Sequence, residues 1–221
     1  MYGQALLHTL AQLDATTDAA VMLRHAARFP ITDPRTATTI ELTPQGFRDA
    51  EAFGGKLTGF SRLRLHHSPV KRCQQTAEAI ARGASANGLA VEWRGAQDLL
   101  GVSFIIDEEE TARLTVLHGE AFLRLWLAQQ VDPRVIRPAA ALAADYIAYF
   151  ADGLRTSDGG RRLDLHVSHD WNTMVLREIA LGVRHEEAGW LEFLDGITFQ
   201  RDNGALRTIY RHHSVRHAVP A

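Results

Sequence analysis

A chain of 221 residues with 46% hydrophobic content can bury one substantial core, and it needs no second domain to do so. Its charged residues, 23% of the chain, leave a net charge of -2 and so lack the basic surplus of a nucleic-acid binder. No apolar run reaches the roughly 18 residues of a membrane span, and the N-terminus lacks the basic start of a signal peptide. The single cysteine, Cys73, rules out an internal disulfide and suits a cytoplasmic location.

Residues 2–13, with leucines at helical spacing, predict a short helix. The run Ala19-Ala20-Val21-Met22-Leu23 suits a strand buried on both faces, ending at Arg24. A loop punctuated by Pro30 and Pro34 follows. Thr43-Pro44 then supplies an N-cap and a first-turn proline for a helix to about residue 57, closing near Gly59. Residues 62–67 alternate as a strand, and Ser68-Pro69 opens the next helix by the same device, to about Arg82. Residues 90–93 form a short strand.

The segment 97–138 is the hardest to read. It holds the acidic run Asp107-Glu108-Glu109-Glu110, expected as a solvated loop, and an apolar helix over about 120–129. A long helix over 139–154 leads into a strand over 163–167. Residues 171–181 are helical and stop at Gly182. Asp202-Asn203-Gly204 turns a hairpin between strands 197–201 and 206–211. His212, His213 and His217 look like a basic tail without a role. The alternation predicts a three-layer α/β/α sandwich with a mostly parallel central sheet, one domain over 1–221, with 97–138 as a lid or cap insertion.

Three predicted strands end at polar, reactive residues, where such sheets bind ligands. In Arg24-His25-Ala26-Ala27-Arg28-Phe29-Pro30, neutral imidazole is a competent nucleophile toward phosphorus, and guanidinium groups match phosphate oxygens bidentately. Taken alone, the motif is equally a surface histidine between solvated arginines. Arg72 reaches back over a helix start that already favours anions; an exposed arginine on a capped helix is the plainer reading. Cys73 reads as a small core residue. At Ser168-His169-Asp170-Trp171-Asn172, His169 can donate to a phosphate oxygen and Asp170 can shuttle a proton, unless Asp170 merely caps the next helix. His166 and His169 could pair on a metal, but strand alternation turns them to opposite faces.

Arg24-His25-x-x-Arg28-x-Pro30, Ser68-Pro69-x-x-Arg72-x-x-Gln75-Thr76-Ala77 and His169-Asp170-x-Asn172, in this order, resemble the histidine phosphatase superfamily. Leu42-Thr43-Pro44-Gln45-Gly46 resembles that family's helix start after the first motif, and the resemblance covers about residues 21–181. Pro30 and the His-Asp pair look more like the acid phosphatase and phytase branch than the phosphoglycerate mutase branch. Ala26 stands where glycine is usual.

The resemblance implies a phosphoglycerate mutase-like fold and a phosphomonoesterase acting on a small phosphorylated metabolite. His25 would become phosphohistidine, and Arg24, Arg28, Arg72 and His169 would clamp the transferring group, with Asn172 also on the substrate. Asp170 would be the acid, or one of Asp98, Asp107 and Glu108 if the mutase-like pattern applies. No metal, cofactor, nucleic-acid or membrane partner is expected. Trp190 and the final hairpin read as core and sheet edge, and the open edge leaves room for a homodimer. A phosphomutase and a non-catalytic phosphate-binding module are the alternatives.

Overall fold

The computed structural model describes residues 2–33, 36–157 and 159–218; Pro34, expected as loop punctuation, lies outside them. In chain order the elements are α1 (Gln4–Ala11), β1 (Ala19–Arg24), α2 (Pro44–Gly54), β2 (Arg62–His67), α3 (Lys71–Ala86), β3 (Ala90–Ala96), α4 (Glu108–His118), α5 (Ala121–Leu127), α6 (Ala139–Gly153), β4 (Arg162–Ser168), α7 (Asp170–Val175), α8 (His185–Ala188), β5 (Gly196–Asp202), β6 (Ala205–Tyr210) and β7 (His213–Ala218). The seven strands form one sheet in the order β3-β2-β4-β1-β5-β6-β7.

The sheet is mixed rather than mostly parallel. β3, β2, β4 and β1 pair in parallel, whereas β1–β5, β5–β6 and β6–β7 pair antiparallel. Parallel pairing needs a crossover connection, and the chain has helices to supply one only before residue 190. After that it returns through short turns. Asn203 and Gly204 both take positive φ in the first turn, as the sequence leads one to expect. The supposed basic tail is β7, the edge strand of this meander.

Alternation along each strand feeds two cores. Ala19, Val21 and Leu23 of β1 face α1, α2 and α3 with Leu63, Leu65, Leu163 and Leu165. Ala20 and Met22 face α5 and α6 with Phe122, Trp126, Tyr146, Phe150 and Phe199. This is the expected three-layer sandwich. On the α6 face of β2 and β4 the inward positions are polar instead. Arg64 grips Asp164 with two bonds of 2.6 and 2.5 Å, and His66 stacks on His166 with ring centroids 4.2 Å apart.

Two local readings change. Ser68 does not cap α3, whose N-cap residue is Val70. The acidic run is a helix start: Asp107 accepts from the Glu110 N–H at 2.9 Å, and Glu108 to Glu110 occupy the first turn of α4. Carboxylates there face the positive end of the helix dipole, which explains the run without a ligand. The segment 97–138 also divides. Its second helix, α5, is built into the core through Phe122 and Trp126, and the indole of Trp126 lies stacked on Phe104 at 4.9 Å. Among the described residues, no helix is long and apolar enough to cross a membrane.

Candidate active site

The carboxyl ends of β1, β2 and β4 lie side by side, since β1 and β2 both pair with β4. Arg24 ends β1 between the carbonyls of its neighbours: its N–H donates to Asp195 O at 2.9 Å, and the His25 N–H donates to Ser168 O at 2.9 Å. The next residues are pinned from below. The Ala26 N–H donates to Thr76 Oγ1 at 3.1 Å, and the Thr43 N–H donates to Ala27 O at 2.9 Å. The α2 start seats directly on that loop because Gly46 has no side chain; a Cβ there would stand 2.0 Å from Ala27 O. Thr43 caps α2 as expected, accepting from the Gly46 N–H at 3.0 Å. The family-like Thr43, Gly46 and Thr76 thus hold the loop that carries His25.

Arg72, from the first turn of α3, joins the two histidines. Its Nε donates to His25 Nε2 at 3.0 Å and its Nη2 to His169 Nδ1 at 3.1 Å. The rings of His25 and His169 lie 5.6 Å apart, close enough to flank one tetrahedral anion. A guanidinium cannot accept a hydrogen bond, so both of these ring nitrogens must carry lone pairs. Neutral His25 therefore holds its proton on Nδ1, which donates to Ala26 O at 2.8 Å. Neutral His169 holds its proton on Nε2, which donates to Ser68 Oγ at 2.9 Å. Ser68, read from sequence as a cap, instead fixes the tautomer of His169.

The electrostatics agree with neutral rings. Burial, then His169 and Arg72, hold His25 well below the ordinary histidine value. Burial and Arg72 likewise depress His169. Burial would raise Asp170, but Arg24, the Trp190 indole, His169 and the Trp171 N–H outweigh it, and the carboxyl stays below its usual range. Arg24 Nη2 stands 3.0 Å from Asp170 Oδ2, and the Trp190 indole donates to the same oxygen at 3.0 Å. The Arg24 guanidinium also stacks on Phe193 at 4.1 Å.

Arg24 Nε and Arg28 Nε are buried donors with no acceptor among the described residues. Buried N–H groups are nearly always paired, so two spare guanidinium donors beside two imidazoles suit an anion. Burial lowers the values of Arg24, Arg28 and Arg72, and Arg72 also acts on Arg28; all three remain cations at neutral pH.

Of the residues singled out from sequence, Arg24, His25, Arg72, His169 and Asp170 are joined by direct contacts. Arg28 is half-buried next to them, its Nη1 donating to Phe29 O at 2.9 Å. The Asn172 amide nitrogen donates to Gly101 O at 2.7 Å and to the Tyr146 hydroxyl at 2.8 Å, so it ties the start of the 97–138 segment to α7, while its buried Oδ1 has no partner among the described residues. Asp107 is occupied as a cap, and Asp98 and Glu108 are exposed. His166 is turned away onto His66, as strand alternation requires. Cys73 is a core residue whose thiol burial pushes up to about 12.

Trp190 packs against the core as its sequence suggests, but its indole also reaches Asp170, and Phe193 lies against Arg24 and His25; no signal in the sequence marks either contact. Among the described residues, one His and carboxylate group has metal-ligand spacing, Glu178, His185 and Glu186. The guanidinium of Arg124 already fills it, bonded to all three.

Residues 21–195 match the family model described as histidine phosphatase superfamily (branch 1). No curated protein matches the sequence. Among solved structures, a mycobacterial glucosyl-3-phosphoglycerate phosphatase is similar at TM-score 0.57 and 17% identity, over 88% of this chain and 99% of that one. The structure called mycobacterial hydrolase 2 gives 0.58 and 18%, over 90% and 92%. A phosphoglycerate mutase from Bacillus anthracis gives 0.55 and 15%, over 91% and 92%. At these identities the likeness speaks for the fold. The match to branch 1 corrects the leaning toward the acid phosphatase branch, which rested on Pro30 and the His-Asp pair.

Proposed function

Because the chain belongs to the histidine phosphatase superfamily, we propose that it is a phosphomonoesterase that hydrolyses a small phosphorylated metabolite through a phosphohistidine on His25. The observation that carries this reading is the bridge of Arg72 between His25 Nε2 and His169 Nδ1, with Arg24 and Asp170 paired alongside.

His25 has the two properties a nucleophile needs here. It is neutral, and its Nδ1–H is fixed on Ala26 O, so the lone pair of Nε2 is aimed at Arg72 and the anion that Arg72 would hold. Phosphate oxygens compete for the Arg72 guanidinium and free that lone pair. Arg24, Arg28 and Arg72 then spread charge over the equatorial oxygens, which is most of what phosphoryl transfer asks of a protein. These cations supply the charge that a metal would otherwise bring, so activity should survive a chelator.

In the first step the His25 Nε2–P bond forms as the P–O bond to the leaving group breaks. Asp170 gives that oxygen its proton. In the second step water attacks phosphorus, the N–P bond breaks, and the Asp170 carboxylate takes the water's proton. Asp170 is ionised while Arg24 and Trp190 hold it. A bound phosphate dianion both draws Arg24 away and raises the carboxyl, so the acid is loaded only when substrate is present.

A panel of phosphorylated metabolites with phosphate-release readout, run beside His25→Ala, tests the reading. Phosphate should appear for the native chain and not for the variant. Isomerised ester without free phosphate would favour a phosphomutase, and phosphate binding without turnover would leave a binding module.

A further inference from the structure

The two oxygens of Asp170 are held differently. Oδ1 accepts from the Trp171 N–H at 3.0 Å, at the start of its own helix. Oδ2 receives Arg24 Nη2 and the Trp190 indole N–H, each at 3.0 Å. Trp190 comes from a turn 20 residues further along the chain, and that turn is anchored on both sides of the tryptophan. Gly189 O accepts from Arg177 Nη2 at 2.7 Å, and Leu191 O accepts from Arg24 Nη1. Ahead of it, α8 is fixed to α5 by Arg124, which bonds Glu186 and His185. The indole is thus presented to Oδ2 by a braced turn.

The two donors on Oδ2 have different fates when substrate binds. Arg24 is a cation with a spare buried Nε–H, and a phosphate dianion competes for it. The indole N–H is neutral, has one hydrogen to give and can accept nothing in return. Its bond to Oδ2 survives the loss of Arg24, because Arg177 on Gly189 O and Arg124 on α8 still brace the turn. A neutral donor also permits the carboxyl to take a proton, where a retained guanidinium would oppose it.

We propose that Trp190 is a positioning residue for Asp170, keeping Oδ2 aimed at the leaving oxygen once Arg24 has turned to the phosphate. The assignment rests on the phosphatase reading above. In the first half-reaction the proton passes from Oδ2 to the departing oxygen while the His25–P bond forms. In the second, the same oxygen recovers a proton from the attacking water as the N–P bond breaks.

The test is Trp190→Phe, which keeps an aromatic ring on a half-buried turn and removes only the donor. Turnover of a 4-nitrophenyl phosphate, whose leaving group needs little acid, is compared with that of glycerol phosphate, whose alkoxide needs much. Loss of acid assistance is expected to slow glycerol phosphate by ~10-fold or more and the nitrophenyl ester by less than about 3-fold. The alkaline limb of the pH profile should move to higher pH, because the indole favours the ionised carboxyl. In an Asp170→Asn background, Trp190→Phe should add no further leaving-group dependence. Equal losses on both esters, or an undiminished effect in that background, would show that Trp190 serves packing alone. If the native chain turned over neither ester, the phosphatase reading and this one would fall together; normal turnover with equal losses removes only the role of Trp190.

Discussion

Arg72→Ala removes a side chain that bonds both histidines. The guanidinium is buried and spends Nε on His25, Nη2 on His169 and Nη1 on Ala37 O at 2.5 Å. Losing a single preorganised donor to developing charge lowers kcat by about 10²–10³, or roughly 2.7–4 kcal/mol. Arg72 offers a bidentate fork, so the upper end applies, and a fall of ~10³ is expected. Arg72→Lys restores the charge without the fork and should recover ~10-fold of that loss.

The same variant carries a second signature. Arg72 stands behind burial among the causes that hold down His25 and His169. His25 must be neutral to attack, so activity is lost as pH falls through its value in the free enzyme. Removing the neighbouring cation raises that value, and the acid limb of kcat/KM should move to higher pH. Steady-state kinetics on an aryl phosphate through the acid and neutral range measure both effects. An Ala variant within about 3-fold of the native kcat/KM, with its acid limb unmoved, would refute the bridging role of Arg72.

Two further outcomes follow from the packing. Gly46→Ala drives a Cβ to 2.0 Å from Ala27 O; overpacking of this kind costs about 1–3 kcal/mol, and it displaces the His25 loop, so thermal stability and turnover should fall together while Gly88→Ala, facing open space at positive φ, should leave turnover intact. The second concerns the stacked pair His66 and His166. Burial, then Arg64 and Arg94, lower His66 to about 4, and burial with His66 holds His166 well below the ordinary value. The unfolded chain takes up protons at both positions as pH falls through about 6.5, whereas the folded chain does not. Stability present above that point is therefore lost as pH drops toward about 4 for His66. Denaturant midpoints recorded at falling pH should decline less steeply in His66→Leu, and an unchanged slope would contradict this account of the pair.

Much of the frame was legible because its signals are local. The Ala19–Leu23 run, the Thr43-Pro44 cap and the Asp202-Asn203-Gly204 turn each declare themselves within a few residues, and the structure keeps all three. The five residues that meet at the site were legible for another reason: three strands end at reactive side chains, and parallel pairing brings those ends together. What was not legible depends on distance in the chain. Nothing near Trp190 says that its indole reaches Asp170. Ser68 shows a cap pattern, yet the buried His169 ring, 101 residues away in the chain, donates to its hydroxyl oxygen instead. Asn172 carries the family pattern but lies under the Gly101 carbonyl, which claims its amide nitrogen. The hairpin of β5 and β6 was legible from its turn, but the antiparallel seam between β1 and β5 and the strand β7 were not, because a period-two pattern cannot say which way a distant neighbour runs.

The most direct measurement is a rapid-quench experiment with an aryl phosphate under alkaline conditions, where a phosphohistidine persists, followed by mass analysis of the peptide bearing His25. One acid-labile phosphoryl group should appear on that residue within a turnover and vanish in His25→Ala. Turnover with no phosphoryl group on residue 25, or with one on another side chain, would contradict nucleophilic attack by His25.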